Sequence, residues 1–91
     1  MDFETYVNLA KVKHNLSSNN KVAKVVGITT AAMSQFVTKR STPSPETTLK
    51  VAKLAGCNEK EVVLDLLIDR FKDYKDVTNV LKDIKNITIN K

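Results

Sequence analysis

Residues 30–38 hold the side chains that are best placed to do chemistry, and that chemistry is hydrogen bonding. In a helix that advances about 100° per residue, one side of this stretch is apolar and consists of Ala32, Met33, Phe36 and Val37. The opposite side is small and neutral, and consists of Thr30, Ala31, Ser34, Gln35 and Thr38. An ordinary surface helix carries charged residues on its outer face. This face, bordered by Lys39 and Arg40, indicates a surface that donates and accepts hydrogen bonds.

Catalytic and metal chemistry have little support in the sequence. The single cysteine, Cys57, excludes an internal disulfide and a cysteine-based zinc site, and the single histidine, His14, excludes a two-histidine metal site. The sequence contains no Gly-rich phosphate loop and no grouping of Ser, His and acidic residues typical of a nucleophile. We therefore expect a protein that is not an enzyme and that needs no cofactor or metal.

The size and composition fit one small domain, or one domain with a short tail. The chain has 91 residues, of which 42% are hydrophobic and 27% charged, which are ordinary values for a globular protein. No apolar run exceeds three residues, whereas a membrane span needs about 20. Asp2 and Glu4 stand where a signal peptide would carry basic residues. We expect a cytoplasmic protein without a membrane partner.

The net charge of +5 is confined to the first two-thirds of the chain. Residues 1–60 carry nine Lys and Arg against four Asp and Glu, and residues 61–91 carry six against six. This distribution is typical of a polyanion-binding module followed by a neutral appendage. A solvated basic surface is the alternative interpretation, and charge alone does not name the ligand.

Hydrophobic spacing and capping residues predict an all-α chain. The predicted helices cover residues 2–14, 19–26, 30–38, 45–56, 59–72 and 76–85. Ser18, Thr29 and Ser44 are the expected N-caps of the second, third and fourth helices. The fifth helix is apolar around much of its girth, so we expect it to be covered on more than one side. Residues 87–89 alternate between apolar and polar, which leaves a short strand or a frayed end open.

The second and third predicted helices and the turn between them form a helix-turn-helix. Ala23 is small enough for the third helix to cross closely, and Gly27 reverses the chain. Ile28 and Met33 fill the angle between the two helices. The third helix would then project its outer face into the major groove of DNA, where side chains reach base edges.

The stretch from Val22 to Gln35 resembles the Cro and phage-repressor (XRE-like) family of helix-turn-helix regulators. Residues 43–46, Pro-Ser-Pro-Glu, and residues 51–57 resemble the fourth helix of that family. The chain is also similar to short phage-borne or prophage-borne regulators. The resemblance, which covers about residues 17–68, implies a lambda-repressor-like bundle of five helices with a C-terminal amphipathic helical extension. The expected domains are a DNA-binding domain, 1–72, and an extension for packing or dimerisation, 73–91.

The resemblance also implies roles for individual residues. The base-reading positions fall on Thr30, Ala31, Ser34, Gln35 and Thr38, and the DNA phosphate contacts fall on Asn19, Lys39, Arg40, Ser41 and Ser44. Gln35 is the strongest candidate reader, because its amide can pair with adenine N7 and N6. Four positions depart from the family pattern: Asn19 replaces a usual Gln, Val37 a frequent Glu, Lys39 a frequent Gly and Ala55 a frequent Leu. Few arginines lie near the site, so we expect an A·T-leaning target.

The expected function is therefore a sequence-specific, DNA-binding transcriptional regulator, a phage-type repressor that binds a palindromic operator as a homodimer. The fifth helix and the C-terminal segment have the spare apolar surface for dimerisation. An antitoxin-type autorepressor that binds a toxin partner is one alternative. A helical protein-interaction module without DNA binding is another.

Overall fold

The structure, a computed structural model, describes residues 2–89, and these form six α-helices and no strand. The helices are α1 (Phe3–His14), α2 (Asn19–Val26), α3 (Thr30–Val37), α4 (Pro45–Leu54), α5 (Glu59–Arg70) and α6 (Lys75–Ile89). The predicted all-α class is confirmed. None of these described helices is long and apolar enough to cross a membrane.

The alternative of a strand at residues 87–89 is wrong, because α6 continues to Ile89. Ile87 extends the helical spacing of Val77, Val80 and Ile84 by three more residues. This longer periodicity outweighs the local alternation of apolar and polar residues.

Five of the helices begin at a residue whose side chain caps the first turn. Each of these side-chain oxygens accepts a hydrogen bond of 2.9–3.2 Å from the backbone N–H three residues later. The capping residues are Asp2, Ser18, Thr29, Ser44 and Asn58. A cap of this type contributes about 1 kcal/mol, so the helix starts are encoded locally.

The first four helices end in the same way, at a residue in the left-handed conformation. These residues are Asn15, Gly27, Lys39 and Gly56, with φ of 53°, 84°, 63° and 81°. After each of them, the next residue donates its backbone N–H to the carbonyl oxygen five positions earlier, at 2.9–3.0 Å. This hydrogen bond is typical of the Schellman motif, which reverses the chain and satisfies the last helical carbonyls.

The first four helices enclose one apolar core. Its fully or almost fully buried residues include Tyr6, Val7, Ala10, Val22, Ala23, Met33, Val51 and Ala52. The rings of Phe3 on α1 and Phe36 on α3 meet edge to face, with centroids 5.5 Å apart. His14 Nε2 at the end of α1 donates to the carbonyl oxygen of Leu54 at the end of α4, at 2.7 Å. The ring contact fixes α3 against α1, and the His14 hydrogen bond joins the ends of α1 and α4.

The chain divides into two compact units, Met1–Cys57 and Asn58–Lys91. In the second unit, α5 packs against α6, and Lys85 Nζ donates to Asp65 Oδ1 at 2.6 Å. This hydrogen bond raises the pKa of Lys85 above its ordinary value of 10.5. The packing groups α5 with α6, whereas the sequence assigned residues 58–72 to the DNA-binding domain. That functional assignment stays a prediction.

Candidate nucleic-acid interface

Helix α3 is held so that its two faces have opposite environments. Met33 is 1% exposed, and Phe36 packs against Phe3 on α1. The opposite face is exposed, and it consists of all five predicted base-reading residues: Thr30, Ala31, Ser34, Gln35 and Thr38. The packing of the inner face therefore presents a row of small and neutral polar groups to the outside. That these groups read bases stays a prediction.

The hydroxyl of Thr38 is already engaged in ending the helix. Its Oγ1 donates to the carbonyl oxygen of Ser34 at 2.7 Å and lies 3.4 Å from the carbonyl oxygen of Gln35. A hydroxyl has a single proton to donate. Thr38 can therefore offer a DNA base its methyl group or an acceptor oxygen, but a donor only after this contact breaks.

The side chain of Gln35 is held by a residue from the following loop. Ser41 Oγ donates to Gln35 Oε1 at 2.9 Å. An amide oxygen has two lone pairs, so Gln35 keeps one acceptor site and both N–H donors. Sequence reasoning placed Ser41 at a phosphate and missed this contact, because the contact depends on how the chain turns after α3.

The loop after α3 turns at Lys39, whose φ is 63°. The backbone N–H of Lys39 donates to the Phe36 carbonyl oxygen at 3.2 Å, and that of Arg40 donates to the Gln35 carbonyl oxygen at 2.9 Å. A residue with a Cβ strains in the left-handed region by about 1–2 kcal/mol. This is the physical reason why the resemblance places glycine here. The side chains of Lys39 and Arg40 are both exposed.

The two other predicted phosphate contacts lie at the starts of α4 and α2. Ser44 Oγ accepts from the backbone N–H of Thr47 at 3.1 Å and donates to Thr47 Oγ1 at 3.0 Å. The Ser44 hydroxyl therefore donates its single proton to Thr47 and not to a phosphate. Asn19 is half-buried, and its Oδ1 is buried without a hydrogen-bond partner among the described residues. Phosphate binding by either residue stays a prediction.

The segment of the chain that contains α2 and α3 carries charge of only one sign. No Asp or Glu occurs from Thr5 to Pro45, a segment that carries Lys11, Lys13, Lys21, Lys24, Lys39 and Arg40. Helices α2 and α3 have no acidic residue in the first turn, whereas the other four helices do. The positive ends of these two helix dipoles are therefore not neutralised. The absence of acidic residues from Thr5 to Pro45 is visible in the sequence, but it is hidden when charge is counted over residues 1–60 and 61–91.

The described residues also bear on metal binding. Among residues 2–89, no group of three or more His, Cys, Asp or Glu side chains is arranged to hold a metal ion.

The chain matches no protein-family model, no curated protein and no solved structure. Its function therefore has to follow from the geometry and charge of its own residues.

Proposed function

We propose that the chain is a sequence-specific, DNA-binding transcriptional regulator of the helix-turn-helix type, with a lambda-repressor-like fold. One observation carries the proposal. The exposed face of α3 is neutral and polar, and it lies within the segment from Thr5 to Pro45, which contains cations and no acidic residue. Cations attract the phosphate backbone, and neutral donors and acceptors read base edges.

A ligand recognised by charge alone would not need a neutral polar helix face with the cations placed outside it. Membrane-binding helices place Lys and Arg on their polar face, but the polar face of α3 has none. The cations next to it, Lys39 and Arg40, follow the helix. The major groove of B-DNA is about 12 Å wide and admits one α-helix. The major groove of RNA is too deep and narrow for this, so duplex DNA is the polyanion that suits α3.

Each part of the face then has a role. Gln35 pairs with the N7 and N6 groups of adenine. Thr30 and Ala31 pack against thymine methyl groups, and Ser34 donates to either base. Lys39 and Arg40 contact phosphates and set the register of the helix on DNA.

The protein acts as a homodimer in this proposal. One module of this size buries about 600–1,000 Å² on DNA, which is rarely enough for tight specific binding. Helix α6 exposes a row of apolar side chains, Val77 (44%), Val80 (58%), Ile84 (44%) and Ile87 (62%), and α5 exposes Val63 (41%). These surfaces support pairing through α5 and the C-terminal segment. Two recognition helices about 34 Å apart would read a palindrome, and the bound dimer would repress by excluding polymerase.

A second candidate function is an autorepressor that binds another protein, such as a toxin, through α6. Asp76 and Asp83 precede Val77 and Ile84 on α6, and all four side chains are exposed. Acidic residues beside an apolar row favour a partner with basic residues around an apolar groove. Co-purification of a small partner protein expressed from the native operon would support the second candidate, whereas a dimeric mass by light scattering without such a partner supports self-pairing.

The two roles of the interface predict two different mutant phenotypes. Gln35→Ala should remove the preference at the base pair that Gln35 contacts and leave affinity for unrelated duplexes unchanged. Lys39→Ala should weaken binding to all duplexes alike, and should flatten the dependence of log affinity on log salt by about 0.9.

Fluorescence anisotropy with a selected duplex and a scrambled duplex, at several salt concentrations, measures both effects. Lys82→Ala, at an exposed lysine on α6, is the control for loss of charge outside the segment from Thr5 to Pro45. Binding by the wild type that is weak and equal on both duplexes would contradict the proposal. It would favour a protein-interaction module instead.

A further inference from the structure

We propose that Ser41 is a positioning residue that orients the Gln35 carboxamide for base recognition, and not a phosphate contact. The inference rests on the proposed function of α3. It is carried by the hydrogen bond from Ser41 Oγ to Gln35 Oε1, at 2.9 Å.

The backbone explains why Ser41 reaches Gln35. The left-handed conformation of Lys39 turns the chain back over the end of α3. The backbone N–H groups of Arg40 and Ser41 then both point at the carbonyl oxygen of Gln35, at 2.9 and 3.3 Å. Ser41 is therefore fixed to Gln35 through the main chain as well as through the side chain. The loop after α3 therefore holds the side chain of Gln35 in place.

The orientation of the amide decides which base Gln35 prefers. With Oε1 held by Ser41, the carboxamide keeps one free lone pair and both N–H donors. These groups match adenine, which offers a donor at N6 and an acceptor at N7. Guanine has an acceptor, O6, in place of the N6 donor, and O6 would face Oε1 without a proton between them. Holding the amide therefore favours adenine over guanine.

The environment of Ser41 also argues against a phosphate contact. Its hydroxyl has one proton, which it donates to Gln35. Ser41 is only partly exposed, whereas Lys39 and Arg40 beside it are exposed. These two cations are better placed to reach a phosphate than Ser41 is.

The test uses the full chain and a duplex selected by the wild type. The position read by Gln35 is first located as the base pair whose preference is lost in Gln35→Ala. The affinities for adenine and guanine at that position are then compared for Ser41→Ala and Ser41→Thr. We expect Ser41→Ala to lower the adenine-to-guanine affinity ratio about fivefold to tenfold, which is part of what one bidentate pair supplies. Ser41→Thr keeps the hydroxyl and should restore the ratio.

Two further readouts separate positioning from other roles. The affinity for a duplex that lacks the selected sequence should be unchanged in Ser41→Ala, because no phosphate contact is lost. In a Gln35→Ala background, Ser41→Ala should have no additional effect on the ratio, because residues that act as a unit are not additive.

The opposite results would overturn the inference. Equal weakening of binding to all duplexes, with the adenine-to-guanine ratio unchanged, would make Ser41 a phosphate contact. An unchanged ratio in Ser41→Ala, while the wild type prefers adenine, would overturn the positioning role and leave the proposed function standing. A wild type without any sequence preference would overturn both. Circular dichroism of each variant verifies that the helices remain folded.

Discussion

Substitution of Lys39 by glycine should stabilise the protein while weakening its binding to DNA. Lys39 has a φ of 63°, a region that costs a residue with a Cβ about 1–2 kcal/mol. Glycine removes that strain, but it also adds about 0.5–1 kcal/mol of conformational freedom to the unfolded chain. The net gain should be about 0.5–1 kcal/mol, which corresponds to an increase in Tm of roughly 2–8 °C for a domain of this size.

The matched control is Lys39→Ala, which removes the same charge and keeps the same backbone strain. Both variants should lose about 0.9 from the slope of log affinity for DNA against log salt. Only the glycine variant should be more stable than the wild type. Asn15→Gly is a second control, and it should raise stability less than Lys39→Gly does. Asn15 also has a positive φ, 53°, but asparagine tolerates this region better than lysine.

Urea and thermal unfolding followed by circular dichroism measure the stability difference, and fluorescence anisotropy measures DNA binding. Equal stability of Lys39→Gly and Lys39→Ala would refute the reasoning, because it would mean that Lys39 is not held in the left-handed conformation. The turn that carries Ser41 to Gln35 would then lose its physical basis.

The remaining predictions concern the ends of helices in the first unit. Gly27→Ala should destabilise the protein by about 0.5–1 kcal/mol in urea unfolding. Gly27 has a φ of 84° and an added Cβ would meet no atom within 4 Å, so the cost is backbone strain of about 1–2 kcal/mol less about 0.5–1 kcal/mol for the lost freedom of the unfolded chain. A cost near zero would contradict the left-handed turn between α2 and α3. Asp2 accepts hydrogen bonds from the hydroxyl and the backbone N–H of Thr5, which lower its pKa below 3.8; stability from this cap should therefore be present at neutral pH and be lost as the pH falls through the lowered pKa. Asp2→Ala should reduce the acid sensitivity of unfolding, and an unchanged pH profile would contradict this role of the cap.

The fold could be predicted from the sequence to the extent that its signals are local. The caps Ser18, Thr29 and Ser44 and the reversal at Gly27 each act within one helical turn, so the limits of α2 and the starts of α3 and α4 were predicted correctly. The division of α3 into a buried and an exposed face follows from its periodicity alone. The predicted end of α6 was too early, because residues 87–89 satisfy two patterns at once.

The features that were not predicted depend on the chain folding back on itself. A lysine in the left-handed conformation has no local signature, and only the resemblance to a position occupied by glycine pointed to Lys39. The Ser41–Gln35 hydrogen bond requires that turn, so a position-by-position transfer of roles could not indicate this contact. The grouping of α5 with α6 depends on packing. Because α5 is apolar around much of its girth, its sequence does not determine which helix it packs against.

Selection of duplexes from a random-sequence DNA library at physiological salt tests the central proposal most directly. The proposed regulator should enrich a palindrome whose half-sites are centred one helical turn, about 10 base pairs, apart, with adenine at the position that Gln35 reads. A single enriched half-site would keep α3 as the reader and exclude the symmetric dimer. Recovery of no preferred sequence would contradict the proposal that α3 reads DNA, and would leave the positive charge as a non-specific attraction.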